Sequence, residues 1–248
     1  MKLGKSKKST WGLIIFSIGI LIGILFSGAT VWGNIEAFLF NPGLPADETI
    51  KTMKCPVLIT SSETGTVTAA FTNPGDRPVM TTVRTSISDG LFLMIRETDT
   101  RIQLEAGETK ELEWTVSPED AAWERLIFVR VYSLRSTPLP ALTGTCGILV
   151  VDMPFFTGNQ VIAIVLIISI AGMVAGLGLW ISANQPLSRR NRYATQIMGV
   201  LAALVIIGTV LGILGWWFIG AILLVITVLL VVVTITYFLL ASENGAAI

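Results

Sequence analysis

Glu111-Leu112-Glu113-Trp114-Thr115-Val116 alternates polar and apolar side chains without a break. A period of two puts Leu112, Trp114 and Val116 on one face and the polar groups on the other, as in a sheet with one wet side. The pattern extends in both directions. From Cys55 to Val151 β-branched residues recur between turn residues. This predicts strands over Val57–Thr60, Thr66–Phe71, Val79–Ile87, Leu91–Arg96, Arg101–Leu104, Lys110–Val116, Leu126–Leu134 and Cys146–Val151. Turns are marked by Asn73-Pro74-Gly75-Asp76, Ser88-Asp89-Gly90 and Ala106-Gly107-Glu108. Ser117-Pro118-Glu119-Asp120 differs: a capping serine, a proline at the first helical position and acids in the first turn predict one helical turn ending near Trp123.

Beyond this polar island the chain turns apolar. Trp11–Gly33 runs 23 residues without a charge, enough to cross a hydrocarbon core about 30 Å thick. Val161–Ile181, Ile197–Gly215 and Phe218–Leu240 are three more such runs. Composition agrees: 52% of the 248 residues are apolar, 14% are charged, and the mean hydropathy is +0.74. An integral membrane protein with a soluble part is the expectation. The rival reading of the first run is a cleaved secretory signal, with Ser27-Gly28-Ala29 as small residues at a cleavage site. The apolar stretch continues past Ala29 to Trp32, which favours a span. Ile35–Phe40 then reads as a segment lying in the interface, broken off by Asn41-Pro42-Gly43.

Charge sets the expected orientation. Asn34 to Gly158 carries 16 acidic and 10 basic residues, whereas the rest carries seven basic residues and one acid. Those seven are Lys2, Lys5, Lys7, Lys8, Arg189, Arg190 and Arg192, in two clusters that the positive-inside rule places on the cytoplasmic face. Both termini are then inside and the island outside. Trp11, Trp180, Tyr193 and Tyr237 fall at the inner boundary, and Trp32, Phe155, Trp216 and Trp217 at the outer. The expected division is a cytoplasmic N-terminus (1–10), transmembrane helix 1 (11–33), a juxtamembrane linker (34–54) and the β domain (55–152). Transmembrane helices at 159–182, 195–215 and 217–241, a basic cytoplasmic loop (183–194) and a cytoplasmic tail (242–248) follow. Gly19 with Gly23, Gly172 with Gly176, and Gly208 with Gly212 share the small-xxx-small spacing that lets helix backbones approach closely. Glycine scattered by composition is the alternative.

Seven or eight short strands in about a hundred residues fit a two-sheet, immunoglobulin-like sandwich. The expected fold class is thus four transmembrane α-helices plus an extracytoplasmic all-β sandwich inserted between helices 1 and 2. The island resembles the modules of bacterial and archaeal envelope proteins in the CARDB and NEW3 families. The residues that carry the likeness are Phe71-Thr72-Asn73-Pro74-Gly75, the strand Val79–Ile87, and Leu104-Glu105-Ala106-Gly107-Glu108-Thr109-Lys110-Glu111-Leu112. The resemblance implies a display or binding module without enzymatic activity. Antibody-type domains hold their cysteines on two central strands; here Cys55 precedes the first expected strand and Cys146 opens the last. With the island outside the cell, a Cys55–Cys146 disulfide is the natural reading, closing a loop of about 90 residues and contributing roughly 4 kcal/mol. Two independent buried thiols are the alternative.

Several activities find no support in the residues. There is no histidine, so imidazole acid–base catalysis and histidine-held metal are excluded for this chain, and no zinc or other cofactor is expected. No G-x-S-x-G or S-x-x-K motif occurs. The pairs Glu111/Glu113 and Glu97/Asp99 imitate glycosidase carboxylates, but alternate acids on a strand are ordinarily its solvated face. Asp47, Glu48 and Asp99 lack the spacing of a calcium loop. No Asp, Glu, Lys, Arg or proline interrupts a span, which argues against a transporter working alone. The leading expectation is a non-enzymatic accessory or assembly subunit. Its partners would be lipid and other membrane or envelope subunits, or further copies of itself, and not nucleic acid. Lateral adhesion, on the four-span plan of claudins and tetraspanins, is a second reading. A third is a ligand-sensing subunit of a transporter, binding at Thr72–Arg77 or Ser136–Gly144.

Overall fold

The computed structural model describes residues 7–42, 45–90 and 94–244, with side chains for all of these except 190, 235 and 237–244. In chain order a helix comes first, then a β domain, then three helices. The contacts divide the chain into two units, Met1–Val31 with Ala163–Ile248, and Trp32–Ile162.

The helices are α1 (Lys7–Leu39), α2 (Gly158–Ala183), α3 (Arg189–Ile213) and α4 (Trp217–Asn244). Each contains a stretch long and apolar enough to cross a membrane. In the helical unit Phe16, Ile20, Met173, Met198, Leu201 and Val205 form one buried cluster. By contrast α4 leaves Val225, Leu229, Val232 and Val233 exposed.

The β domain has eight strands: β1 (Glu48–Thr49), β2 (Leu58–Thr60), β3 (Gly65–Thr72), β4 (Val79–Asp89), β5 (Met94–Leu104), β6 (Thr109–Val116), β7 (Leu126–Ser133) and β8 (Leu142–Val151). One sheet has the order β1-β8-β7-β4-β5, with β2 also on β8; β3 and β6 form the other. A single core joins them, with Val67, Ala69, Phe71 and Val116 from the small sheet and Val83, Ile87, Ile102, Ile127, Val129, Val131 and Ile148 from the large one. Leu112 and Trp114 pack against it, so the six residues that define the alternation do put their apolar face inward.

Several expectations need correction. The large sheet is mixed, because β1 and β2 both run parallel to β8 while its other pairs are antiparallel; the expected strands left their direction open. Leu91–Arg96 and Arg101–Leu104 were expected as two strands; β5 is one, and Leu91, Phe92 and Leu93 lie outside the described residues. Its polar middle, which resembles a turn, is matched to β4 through Arg84↔Asp99, Thr85↔Thr98 and Ser86↔Glu97. Cys146 does not open the last strand, since β8 begins at Leu142 and Cys146 pairs with Val129. The expected turn ending near Trp123 is a 3-10 turn, Pro118–Asp120, in which Asp120 caps the Ser117 N–H at 2.8 Å. α3 starts within the expected loop, at Arg189, because Ser188 Oγ accepts the Asn191 N–H. Finally, Ile35–Leu39, expected within the linker, is helical, and Phe40 follows directly. Ala37 and Phe40 are buried against Ala122, Leu126 and Phe128.

Candidate binding cleft on the β domain

The large sheet has an inner face on the core and an outer face that is divided in two. Because β7 alternates, Ile127, Val129 and Val131 point inward, while Leu126, Phe128, Arg130 and Tyr132 point out. The last turns of α1 cover Leu126 and Phe128; Phe40 and Phe128 meet with ring centroids 5.6 Å apart. The approach reaches the backbone: a Cβ on Gly147 would overlap the Gly33 carbonyl. Only glycine permits that contact.

Beyond the helix end the outer face is polar. Asn41, Arg84, Ser86, Glu97, Arg130, Tyr132 and Thr143 line a cleft of about 70 Å³, room for a few waters or one small polar group. The strand register brings these groups together, with Ser86 opposite both Glu97 and Arg130, and Tyr132 opposite both Arg84 and Thr143. Arg130 donates to the carbonyls of Phe38 (3.1 Å) and Asn41, capping the end of α1 with a cation where the helix dipole favours one. Burial pushes its guanidinium below the usual arginine range, and Nε is buried with no partner. Asn41 holds a positive φ of 44° and donates to Ser86 Oγ (3.1 Å) and Glu97 Oε1 (3.0 Å). Arg84 grips Asp99 with two bonds, 2.8 and 3.0 Å. That pairing lowers the Asp99 carboxyl and raises the Arg84 guanidinium. Tyr132 donates to the Pro45 carbonyl at 3.0 Å.

Chemically the cleft offers hydrogen-bond donors and acceptors of both charge signs. Of its hydroxyls, Ser86 accepts a bond from Asn41 and stands 3.4 Å from Glu97, and Ser86, Tyr132 and Thr143 have no imidazole or amine beside them in the lining. Of the carboxylates read from the sequence, Glu97 lines the cleft and Asp99 holds its Arg84 from outside, whereas Glu111 and Glu113 are exposed on β6. Asp47 bonds Arg135 and the Ala141 N–H (2.8 Å), which together lower its carboxyl. Among the described residues no group of three or more Cys, Asp and Glu converges on a metal position. The sequence reading missed Arg130, Ser86, Tyr132 and Asn41. An arginine inside the otherwise apolar run Leu126-Ile127-Phe128-Val129-Arg130-Val131 was the available signal.

The other expected site residues fall as follows. Cys55 and Cys146 are joined in a disulfide. Gly19 and Gly172 face each other, and Gly176 packs on the backbone of Gly12 and Phe16. Gly23 instead meets Val205 and Ser169, while Gly208 and Gly212 border Gly220 of α4. Lys2 and Lys5 lie outside the described residues. Lys7, Lys8, Arg189 and Arg192 are exposed, and the side chain of Arg190 is not described. Lys7 and Lys8 share one end of the helical unit with Arg189 and Arg192, where Asn184 donates to Ser9 Oγ (3.1 Å) and accepts from Asn191 (3.3 Å). The loops Thr72–Arg77 and Ser136–Gly144 also meet: a Cβ on Gly75 would lie 3.1 Å from Pro138. Buried Asn73 anchors the first through the Arg77, Leu104 and Glu105 carbonyls.

No protein-family model matches the chain, and no curated protein matches it. Among solved structures it is similar to a CARDB domain from Pyrococcus furiosus solved with di-metal ions, at 16% identity and TM-score 0.30 over 40% of this chain and 84% of that one. It is similar also to a β-glucosidase from Erythrobacter marinus, at 17% identity and TM-score 0.30, over 40% of this chain but 15% of the enzyme. A red sea bream transglutaminase matches at 12% identity and TM-score 0.31, over 42% of this chain and 17% of that one.

Proposed function

We propose that the chain is a multi-pass membrane protein whose immunoglobulin-like β domain stands outside the cytoplasm and docks another membrane or envelope protein. It acts as a non-enzymatic accessory or assembly subunit. The observation that carries this reading is the polar cleft beside the end of α1. Its Glu97 carboxylate and Tyr132 ring lie on a face held in place by internal hydrogen bonds, which lowers the ordering cost of binding. Orientation with both termini inside draws support from Lys7, Lys8, Arg189 and Arg192 gathered at one end of the helical unit. The disulfide fits an oxidising compartment.

The test is photocrosslinking in the native membrane from residues substituted at Glu97 and Tyr132, with Met80, more open than Tyr132, as a stringent control. The expected result is one heterologous partner captured from 97 and 132 and not from 80. Recovery of the chain alone and monomeric under the same conditions would sink the reading. Orientation is tested by an impermeant thiol reagent on intact cells after reduction, read at Cys55, the less buried cysteine; labelling only after permeabilisation would reverse it.

A second reading, small-ligand sensing, draws on the contact between the Thr72–Arg77 and Ser136–Gly144 loops. A ligand-dependent rise in the β-domain melting temperature, lost in Asn73→Ala, is its expected mark.

A further inference from the structure

The β domain has one end at which both flanking helices attach. There Gly33 of α1 seats on Gly147 and Leu126, and Gly158 of α2 packs on the Leu58 carbonyl while its N–H donates to Glu63 at 2.5 Å. Strand pairing fixes what else lies at this level. Leu58 and Leu126 both pair with Leu149, and Ser88 Oγ accepts the Phe128 N–H at 2.9 Å. Asp89 pairs with Met94 and Ser88 with Ile95, so the end of the β4–β5 ladder stands there too. Large apolar side chains crowd this end in the open: Trp32 (58% exposed), Met94 (64%), Ile95 (46%), Trp123 (50%), Phe155 (91%) and Phe156 (44%).

Trp123 is the most informative of them. It and Glu124 take consecutive positive φ angles, 52° and 59°. That conformation is unfavourable for each non-glycine residue. The turn is closed by Ala122 N–H to Leu126 O (2.8 Å) and Leu126 N–H to Ala122 O (3.2 Å). It aims the indole outward with one edge on Phe128, centroids 5.9 Å apart. The opposite end of the domain has polar loops, Thr72–Arg77 and Glu105–Glu108. Among the described residues of the β domain the open aromatics gather at this one end, together with Met94 and Ile95; such a cluster, continuous with the points where apolar helices enter, fits the headgroup region of a bilayer, where amphipathic rings are favoured.

We propose that this end of the β domain is itself a lipid-contacting surface, with Trp123, Met94 and Ile95 seated in the interface beside Trp32, Phe155 and Phe156. The inference rests on the membrane-spanning reading of the helices. Both native cysteines are disulfide-bonded, so one added cysteine can carry a nitroxide without reduction. The full chain, in phosphatidylcholine vesicles, is labelled in turn as Met94→Cys, Ile95→Cys, Trp123→Cys, Met80→Cys and Val174→Cys. Met80 is 63% exposed but lies at the other end of β4, and Val174 is 66% exposed on α2. Labels at 94, 95 and 123 are expected to collide severalfold more with oxygen, and severalfold less with a water-soluble nickel chelate, than the label at 80. If they match position 80 while 174 behaves as lipid-exposed, the inference is overturned and the spans stand. A water-accessible 174 overturns both. Shielding of 94, 95 and 123 from oxygen and nickel alike means a protein covers them, which also overturns the lipid assignment.

Discussion

In the helical unit α1 and α2 meet where side chains are missing. A Cβ on Gly19 would lie 2.7 Å from the Met173 nitrogen and the Ser169 oxygen, and one on Gly12 2.7 Å from the Trp180 nitrogen. In the β domain the opposite holds, since the core is filled by Ile, Val, Leu and Phe drawn from both sheets and closed by the Cys55–Cys146 bridge. On the proposed membrane-spanning reading, the difference follows from the solvent each interface competes against. Lipid offers a helix no hydrophobic reason to associate, so close backbone packing must do it. Water does offer one, and burial of branched side chains suffices for the sheets.

The largest separation of the two should come from the disulfide. Replacing both cysteines by serine is expected to remove about 4 kcal/mol from the β domain through the entropy of its unfolded chain. Melts followed at the sheet and helix dichroism bands should show the sheet transition fall and the helix transition hold. A joint fall would mean that the two units unfold as one.

Next comes Gly147→Val. Its neighbour is the Gly33 carbonyl, a backbone atom that cannot rotate aside, so about 3 kcal/mol of destabilisation is expected. Proteolysis should then cleave near Phe40, because the same shift lifts Ala37 and Phe40 off Phe128. In the helical unit the counterpart is Gly176→Leu, at about 2 kcal/mol, read as loss of crosslinking between cysteines placed on α1 and α2. Gly178→Leu is the matched control, having nothing within 4 Å. Equal effects at 176 and 178 would break the comparison.

The same contrast explains what the sequence makes legible. Period-two alternation is a direct record of a sheet with water on one side, so Leu112, Trp114 and Val116 announce their own burial. A helix apolar on every face records no such asymmetry, and which glycine meets which helix follows from packing alone. Gly23, for example, has the same spacing as Gly19 and yet meets Val205 instead of a backbone. The course of Ile35–Phe40 is hidden for a related reason: an apolar segment reads alike whether it meets lipid or the outer face of a sheet. The cleft was hidden because its members come from five separate segments, the end of α1 and strands β4, β5, β7 and β8, and only the register of β4, β5 and β7 brings Ser86, Glu97, Arg130 and Tyr132 together.

Acid gives the smallest effect and the sharpest division. Asp99 is held below its ordinary carboxyl value first by the Arg84 hydrogen bond, and Asp47 first by the Ala141 N–H and then by Arg135. A carboxyl depressed in the fold binds its proton more readily in the unfolded chain. Its contribution is therefore complete above about pH 4, the unfolded value, and is lost as pH falls through the lower folded one. Both groups are exposed, so the effect is screened and modest. Between pH 7 and 5 the β-domain melting temperature should stay level, then decline below about pH 4. In the double variant Asp47→Asn, Asp99→Asn the plateau should be lower and the acid decline shallower. The helical unit contains one carboxylate side chain, Glu243, and none in a span, so its transition should ignore the same titration. A helical transition that tracked the acid decline would show that the β domain's surface pairs stabilise more than the domain that carries them.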